Sequence, residues 1–181
     1  MPELPEVETI RRQLEPLLVG RRLDRVWAFP HPKFAPALEV ATSGVERVRR
    51  QGKYLLIGLE GDRELVVHLG MTGSLRIGAA DAGTDPYVRA RWSLDGGSAP
   101  PGGSAGEVLE YRDVRRFGRL AVAEGGHYAG TLAVQGPDAL DRSLTPEAFW
   151  RSLRASRRAV KTQLLSQRPI AGVGNIYADE A

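Results

Sequence analysis

Short segments that are apolar, or that alternate apolar and polar residues, fill the chain between residues 23 and 123. Seven such segments are Leu23–Phe29, Val45–Arg50, Tyr54–Leu59, Leu65–Leu69, Tyr87–Leu94, Val108–Tyr111 and Arg119–Ala123. Gly, Pro and Asp residues separate most of them, as in Glu60-Gly61-Asp62. Many short strands at this spacing predict an antiparallel sandwich or barrel. The stretch from Asp95 to Gly106 is rich in Gly, Ser and Pro and lacks periodicity, which predicts a long, mobile hairpin loop.

Helical patterns lie on both sides of this strand-rich region. Pro5 to Leu18 predicts a helix with proline in its first turn. After the strands, Gln135-Gly136-Pro137-Asp138 indicates a boundary, and Thr145-Pro146 predicts a helix start with threonine as the N-cap. We therefore predict an α+β fold with an N-terminal domain at 1–136 and an incomplete helical domain at 137–181. The last residues begin a helix without ending it, so we expect the sequence to be a fragment.

Charge and composition limit the functional classes. The chain has 25 Lys plus Arg against 22 Asp plus Glu, a pI near 9.5 and no Cys. Six basic residues and no acidic one lie between Arg151 and Arg168, which indicates an acidic polymer as partner. The absence of Cys excludes a disulfide framework and a Cys-ligated zinc within these residues. No apolar run is long enough to span a bilayer, and we expect an intracellular, cytoplasmic protein without a membrane partner.

The first residues carry an unusual candidate nucleophile. Removal of the initiator methionine would make Pro2 the amino terminus, and its ring nitrogen would then be a secondary amine. A helix dipole beginning just beyond it lowers the pKa of this amine, whereas Glu3 and Glu6 act in the opposite direction. The sequence does not decide which effect is larger. The simpler interpretation is an ordinary, solvated first turn of a helix.

Four further motifs carry side chains suited to nucleic acid. Lys53 follows Gly52 at a strand junction, and a lysine there is either solvated or bound to a phosphate. Met71 stands between two glycines, where methionine is either core filler or a wedge in a base stack. The string Asp113-Val114-Arg115-Arg116-Phe117-Gly118 is a charged hairpin tip or a base-reading wedge. Gly172-Val173-Gly174-Asn175 opens a helix and is either a plain helix turn or a phosphate grip.

These strings together resemble the formamidopyrimidine-DNA glycosylases. The opening P-E-L-P-E-V-E-T, then K-Y-L-L, H-L-G-M-T-G, D-V-R-R-F-G and R-P-I-A-G-V-G-N-I-Y-A-D-E occur in the same order and span residues 2 to 180. The sibling endonuclease VIII type opens with P-E-G-P-E, so Leu4 and Val7 favour the formamidopyrimidine type. The chain departs from the family at Gln51, at Val114 in place of proline, and at Tyr87, where a DNA-contacting histidine is common.

The resemblance implies both a fold and a set of roles. The fold would be an N-terminal helix plus antiparallel β-sandwich, followed by the first part of a helix-two-turn-helix. Catalysis would rest on Pro2, Glu3 and Lys53. The implied DNA-contacting residues are Met71, Arg115, Phe117, Asn175, Arg157, Lys161 and Glu6. Arg157 and Lys161 are the less specific of these, because a basic helix face is usually just solvated.

The implied activity is excision of oxidised purines, such as 8-oxoguanine and formamidopyrimidines, from duplex DNA, with AP lyase nicking of the strand. The resemblance also implies a monomer, a bacterial-type nucleoid-associated location and, beyond these residues, a C-terminal zinc finger. Within these residues we expect no metal and no cofactor. Two alternatives stay open. The first is a damaged-DNA or abasic-site binding module without catalysis, because the family's second helix of the helix-two-turn-helix and its zinc finger lie outside these residues. The second is an unrelated β-sandwich enzyme.

Overall fold

The fold is taken from a computed structural model, in which residues 2–80, 85–95 and 106–180 are described. The predicted hairpin loop from Asp95 to Gly106 lies almost wholly outside these residues. The described elements are, in order, α1 (Leu4–Leu18), β1 (Arg22–Ala28), a 3₁₀ helix (Ala35–Val40), β2 (Ser43–Gln51), β3 (Tyr54–Leu59), β4 (Arg63–His68), β5 (Gly73–Ala79), β6 (Val88–Asp95), β7 (Glu107–Asp113), β8 (Arg119–Glu124), α2 (Thr131–Val134), α3 (Pro146–Arg154), α4 (Val160–Leu165) and α5 (Asn175–Glu180).

The described strands form one antiparallel sheet in the order β5-β7-β6-β1-β2-β3-β4-β8. Strands β1 and β2 pair only at Arg22–Gly44 and Leu23–Ser43, so this short ladder joins two four-stranded halves. Side chains from both halves belong to a single buried cluster, which includes Leu55 and Ile57 of β3 and Trp92 of β6. Because the two inner faces share this core, the sheet is folded into a sandwich, as predicted.

One strand of the sandwich was missed by the periodicity. Strand β5 pairs with β7 from Gly73–Asp113 to Ala79–Glu107, in the segment that the sequence presented as the continuation of the methionine motif. Its residues Gly73 and Gly78 are uncommon in strands, which hides the pattern. The segment between β1 and β2, which the sequence pattern left unassigned, contains the 3₁₀ helix.

Helix α1 packs with its apolar stripe, formed by Val7, Leu14 and Leu18, into the same core. Its N-terminal residues are buried against the helical region, where the Leu4 N–H donates to the Gly172 carbonyl. In that region, Thr145 accepts a hydrogen bond from the Ala148 N–H and caps α3, with Pro146 in the first turn, as predicted. Within the described residues, no helix combines the length and the apolar character that crossing a membrane requires.

Candidate active site and nucleic-acid interface

The N-terminal segment is attached to the residues at the start of α5, which are distant from it in sequence. The Leu4 N–H donates to the Gly172 carbonyl at 3.1 Å, and Gly172 adopts a φ of 109° there. A Cβ at Gly172 would stand 2.4 Å from Leu4 Cδ1, so only glycine permits this approach. The predicted proline–glutamate start and the glycine–asparagine motif therefore meet in one place.

Glu3 lies at the centre of this contact. Its carboxylate is 1% exposed and accepts hydrogen bonds from the N–H groups of Gly174 at 2.6 Å, Ile176 at 2.8 Å and Tyr177 at 3.3 Å. These N–H groups lack partners within α5, and a carboxylate satisfies them. Glu6 accepts from the Glu3 N–H at 2.9 Å, and the Tyr177 hydroxyl donates to Glu6 at 3.4 Å. Glu6 thus fixes Glu3 rather than standing free.

Lys53 reaches the same place from the β2–β3 turn. It is 8% exposed, and a Cβ built on Gly174 would lie 2.7 Å from Lys53 Nζ and 2.4 Å from Glu3 Cδ. Burial lowers the pKa of the Lys53 ammonium, and the charge of Glu3 acts in the opposite direction. A buried ammonium beside a buried carboxylate, next to Pro2, is an arrangement suited to proton transfer and to anion binding.

A set of partly buried charges ties three parts of the chain together beneath these groups. The Arg50 guanidinium donates to Asp138 through both terminal nitrogens, at 2.5 and 2.8 Å, and to Glu8 at 3.0 Å. Asp138 also accepts the Gly52 N–H at 2.7 Å, directly before Lys53. We call Glu3, Glu8, Arg50, Lys53 and Asp138 the junction, because they join α1, the β2–β3 turn and the helical region.

The junction carboxylates are held by arginines. Burial alone would raise the pKa of Glu8, but hydrogen bonds from Arg11, Arg12 and Arg50 lower it to about 2. Burial likewise acts to raise the pKa of Asp138, and its bonds with Arg50 outweigh that effect and lower the pKa. Both groups therefore stay charged at neutral pH and keep Gly52 and Lys53 in place.

Two loops at the adjacent edge of the sandwich lie against each other, at residues 69–73 and 113–118; we call them the paired loops. A Cβ on Gly70 would stand 2.4 Å from the Gly118 nitrogen, and a Cβ on Gly118 would stand 1.7 Å from the Tyr111 hydroxyl. The Thr72 hydroxyl donates to the buried Asp113 at 2.6 Å and accepts the Arg115 N–H at 3.0 Å. Glycine and one carboxylate thus bring the two loops into backbone contact.

The tips of the paired loops expose the side chains that the sequence singled out. Met71 is 41% exposed and Phe117 is 50% exposed. The Arg115 guanidinium carbon lies 4.7 Å from the centroid of the Phe117 ring. Two exposed apolar groups beside a guanidinium are of the kind that can enter a base stack and hydrogen-bond an unpaired base.

The remaining predicted contacts lie on the helical region. Asn175 is the first residue of α5 and is exposed, as is Arg157 in the loop between α3 and α4. Lys161 of α4 forms an ion pair with Asp179 of α5, so part of its charge is neutralised. Tyr87, at the start of the segment in which the family often has a DNA-contacting histidine, is 40% exposed, and its ring centroid lies 5.1 Å from the Arg112 guanidinium carbon.

Sequence reasoning missed the residue between the junction and the paired loops, His68. Its Nδ1 accepts the Gly70 N–H at 3.2 Å, and it lines a cavity of about 240 Å³ together with Lys53, Arg119 and Gln167. Burial, followed by the charges of Arg119 and Lys53, lowers the pKa of His68 to about 4. Its position directly before the Leu69-Gly70-Met71 string was the available signal. Asp138, missed as well, had only the boundary motif to indicate it.

The residues present do not fit a zinc finger. The chain has no Cys, and the described residues contain no group of three or more His, Asp and Glu that could hold a metal ion.

Two family profiles match the chain. The model of the formamidopyrimidine-DNA glycosylase N-terminal domain matches residues 1–120. The model of the formamidopyrimidine-DNA glycosylase H2TH domain matches residues 135–181. The chain is 39% identical over 194 residues to the formamidopyrimidine-DNA glycosylase of Thermomicrobium roseum, covering all of this chain and 66% of that protein. It is 42% identical over 183 residues to that of Thermus thermophilus, covering all of this chain and 63% of that protein. The chain thus spans slightly less than two thirds of the length of these relatives.

Solved structures resemble it over nearly its whole length. The crystal structure of the MutM (Fpg) protein from Thermus thermophilus superposes with a TM-score of 0.84 at 41% identity, over 99% of this chain and 62% of that one. The Lactococcus lactis formamidopyrimidine DNA glycosylase, non-covalently bound to DNA containing an AP site, gives a TM-score of 0.84 at 30% identity, over 98% of this chain and 67% of that one.

Proposed function

Because the chain belongs to the formamidopyrimidine-DNA glycosylase family, we propose that it acts in DNA repair by excising oxidised purines, such as 8-oxoguanine and formamidopyrimidines, from duplex DNA. We propose that it also nicks the strand as an AP lyase. The observation that carries the proposal is the convergence of Glu3 and Lys53 beside Pro2 at the start of α5. The complex of the Lactococcus lactis relative with DNA that contains an AP site supports DNA as the partner.

The nucleophile in this proposal is the ring nitrogen of Pro2, once it is the amino terminus. It attacks C1′ of the damaged nucleotide, and the bond to the base breaks, with the base leaving with a proton. Opening of the sugar ring gives a cationic Schiff base. This cation withdraws electrons, so that a 2′ proton is lost, the 3′ phosphate leaves, and the 5′ phosphate follows in a second elimination.

Glu3 and Lys53 divide the remaining chemistry. Glu3 adjoins Pro2 and shuttles protons during base loss and ring opening. Lys53 binds the phosphate beside the damaged nucleotide, and the burial that lowers the pKa of its ammonium also allows it to assist proton transfer. The buried charges of Arg50 and Asp138 keep the β2–β3 turn against α5, so both groups face the same sugar.

In this proposal, the paired loops open the DNA duplex so that the damaged nucleotide can reach Pro2. A nucleotide must leave the stack before its C1′ can be reached, and the gap must be filled. Met71 and Phe117 supply apolar wedges, and Arg115 supplies a guanidinium to the base left without a partner. Asn175, Arg157 and Lys161 hold the backbone, with Glu6 fixing Glu3 behind them.

Borohydride trapping tests the proposal directly. An abasic duplex incubated with the protein as its gene encodes it, with borohydride present, should give a covalent adduct that requires a free Pro2 amine, verified by mass spectrometry. We expect Pro2→Gly to retain slower chemistry through its primary amine, and Glu3→Gln to bind DNA and lose base excision by a factor of about 100 or more.

The outcomes of this experiment separate the three functional classes. Salt-sensitive binding without trapping would replace the enzyme by a binding module. A protein that neither binds DNA nor is trapped on it would be a β-sandwich protein of other chemistry. A Glu3→Gln variant that excises bases at the wild-type rate would remove Glu3 from the mechanism.

A further inference from the structure

One residue of the paired loops has a strained backbone. Arg116 has a φ of 57°, in the left-handed region that residues with a Cβ avoid unless their surroundings hold them there. The reversal at Arg116 leaves its two neighbours together, with Arg115 stacked on Phe117. The strain therefore lies between the two side chains that we place in the DNA.

Lys33 holds this turn. Its Nζ donates to the Arg116 carbonyl at 3.0 Å, and its own carbonyl accepts the Leu120 N–H at 2.8 Å. Lys33 lies between β1 and the 3₁₀ helix, 83 residues before Arg116. Lys33 thus contacts both ends of the segment from residue 116 to residue 120.

The backbone of Lys33 is itself anchored. Its neighbour Phe34 is fully buried and lies 6.0 Å from the Tyr111 ring, and the Lys33 N–H donates to His31 Nδ1 at 3.2 Å. The Arg116 guanidinium rests 5.8 Å from the Phe29 ring centroid in the same segment. The other contacts of this segment are made by the Lys33 backbone and by neighbouring side chains. Only the hydrogen bond from Lys33 Nζ to the Arg116 carbonyl depends on the Lys33 side chain.

We propose that Lys33 is a positioning residue, which holds the Arg116 turn and so aims Arg115 and Phe117 at the base opposite the lesion. This inference rests on the proposed function. Lys33 touches no reacting atom, and its effect falls on base extrusion and on discrimination of the opposite base. Arginine can donate to the same carbonyl and methionine cannot, so Lys33→Arg keeps the effect and Lys33→Met loses it.

The test uses the protein as its gene encodes it, with Arg25→Met as a control that removes one exposed positive charge from β1. Duplexes carry 8-oxoguanine opposite cytosine or adenine. We expect Lys33→Met to slow single-turnover excision opposite cytosine about tenfold through misplacement of the loop. We also expect the cytosine-to-adenine rate ratio to change by about tenfold toward one. Borohydride trapping on a single-stranded abasic site, which has no opposite base, should stay unchanged.

A double variant keeps the test independent of stability. Glycine adopts a φ of 57° without strain, so Lys33→Met should cost little in an Arg116→Gly background. The salt dependence of DNA binding should be the same for Lys33→Met and wild type, because a lost phosphate contact would reduce its slope by about one.

Four results would overturn the inference alone: wild-type discrimination in Lys33→Met, an equal loss in Arg25→Met, a reduced salt slope, or no rescue by Lys33→Arg. A wild-type protein that neither excises bases nor traps DNA would overturn the proposed function, and the inference with it.

Discussion

Buried charges hold the junction, whereas the paired loops are held mainly by glycines that allow backbone to touch backbone. At the junction, the Arg50 side chain is 6% exposed and satisfies two carboxylates on different elements. In the paired loops, Gly70 and Gly118 provide the close approach, and one hydroxyl and one carboxylate complete it. The junction can therefore be weakened by removing a charge, and the loops by adding a single carbon atom.

The largest effect is expected at the junction. Arg50→Met leaves the partly buried Asp138 without its cation, whereas Glu8 keeps Arg11 and Arg12. We expect a loss of about 3 kcal/mol in unfolding free energy, measured by urea denaturation. The matched control is Arg12→Met, which removes a partner of the same Glu8 but is 71% exposed, and should cost about 0.5 kcal/mol. Equal losses in the two variants would contradict the contrast between buried and exposed arginines.

The second test adds a methyl group to the paired loops. Gly118→Ala places a Cβ against the Tyr111 hydroxyl and the His68 carbonyl, and we expect a loss of about 3 kcal/mol in unfolding free energy. Gly78→Ala in β5 is the control, because a Cβ there meets nothing within 4 Å. If Gly118→Ala unfolds at the same urea concentration as wild type, the close approach of the two loops at Gly118 is contradicted.

The smallest effect separates the two regions by pH. His68, beside the paired loops, has its pKa lowered from 6.5 to about 4, so its contribution is complete above pH 6.5 and is lost as the pH falls toward 4. Glu8, at the junction, has its pKa lowered from 4.5 to about 2, so its contribution is complete above pH 4.5 and is lost as the pH falls toward 2. After solvent screening, we expect the unfolding free energy to fall by about 2 kcal/mol across the His68 window and by about 1 kcal/mol across the Glu8 window.

Thermal unfolding measured between pH 7 and pH 2 checks these two windows. His68→Gln should remove the dependence between pH 6.5 and 4 while leaving the lower window intact. Protonation of His68 Nδ1 also breaks its bond from the Gly70 N–H, so protection of that amide in hydrogen exchange should fall in the upper window only. A His68→Gln variant with the wild-type pH profile would assign the upper window to another group.

The sequence by itself determined those features that neighbouring residues dictate. Pro5 in the first turn fixes the start of α1, and Thr145-Pro146 fixes the start of α3. Short apolar or alternating runs mark seven of the eight described strands. The same local strings placed Met71 and Phe117 at turns, where the structure finds them exposed. Short-range periodicity and capping carry this information, because each depends on residues within a few positions of one another.

Only the tertiary structure decided which of these groups meet. No local pattern indicates that Glu3 accepts a hydrogen bond from the Ile176 N–H, 173 residues later. The same holds for the ion pair of Arg50 with Asp138 and for the hydrogen bond from Lys33 to the Arg116 carbonyl. Such contacts depend on where the folded core carries each element, and a side chain's partners across elements leave no periodic pattern in the sequence. The sequence thus named the candidate groups, and long-range packing set their burial, their pKa values and their geometry.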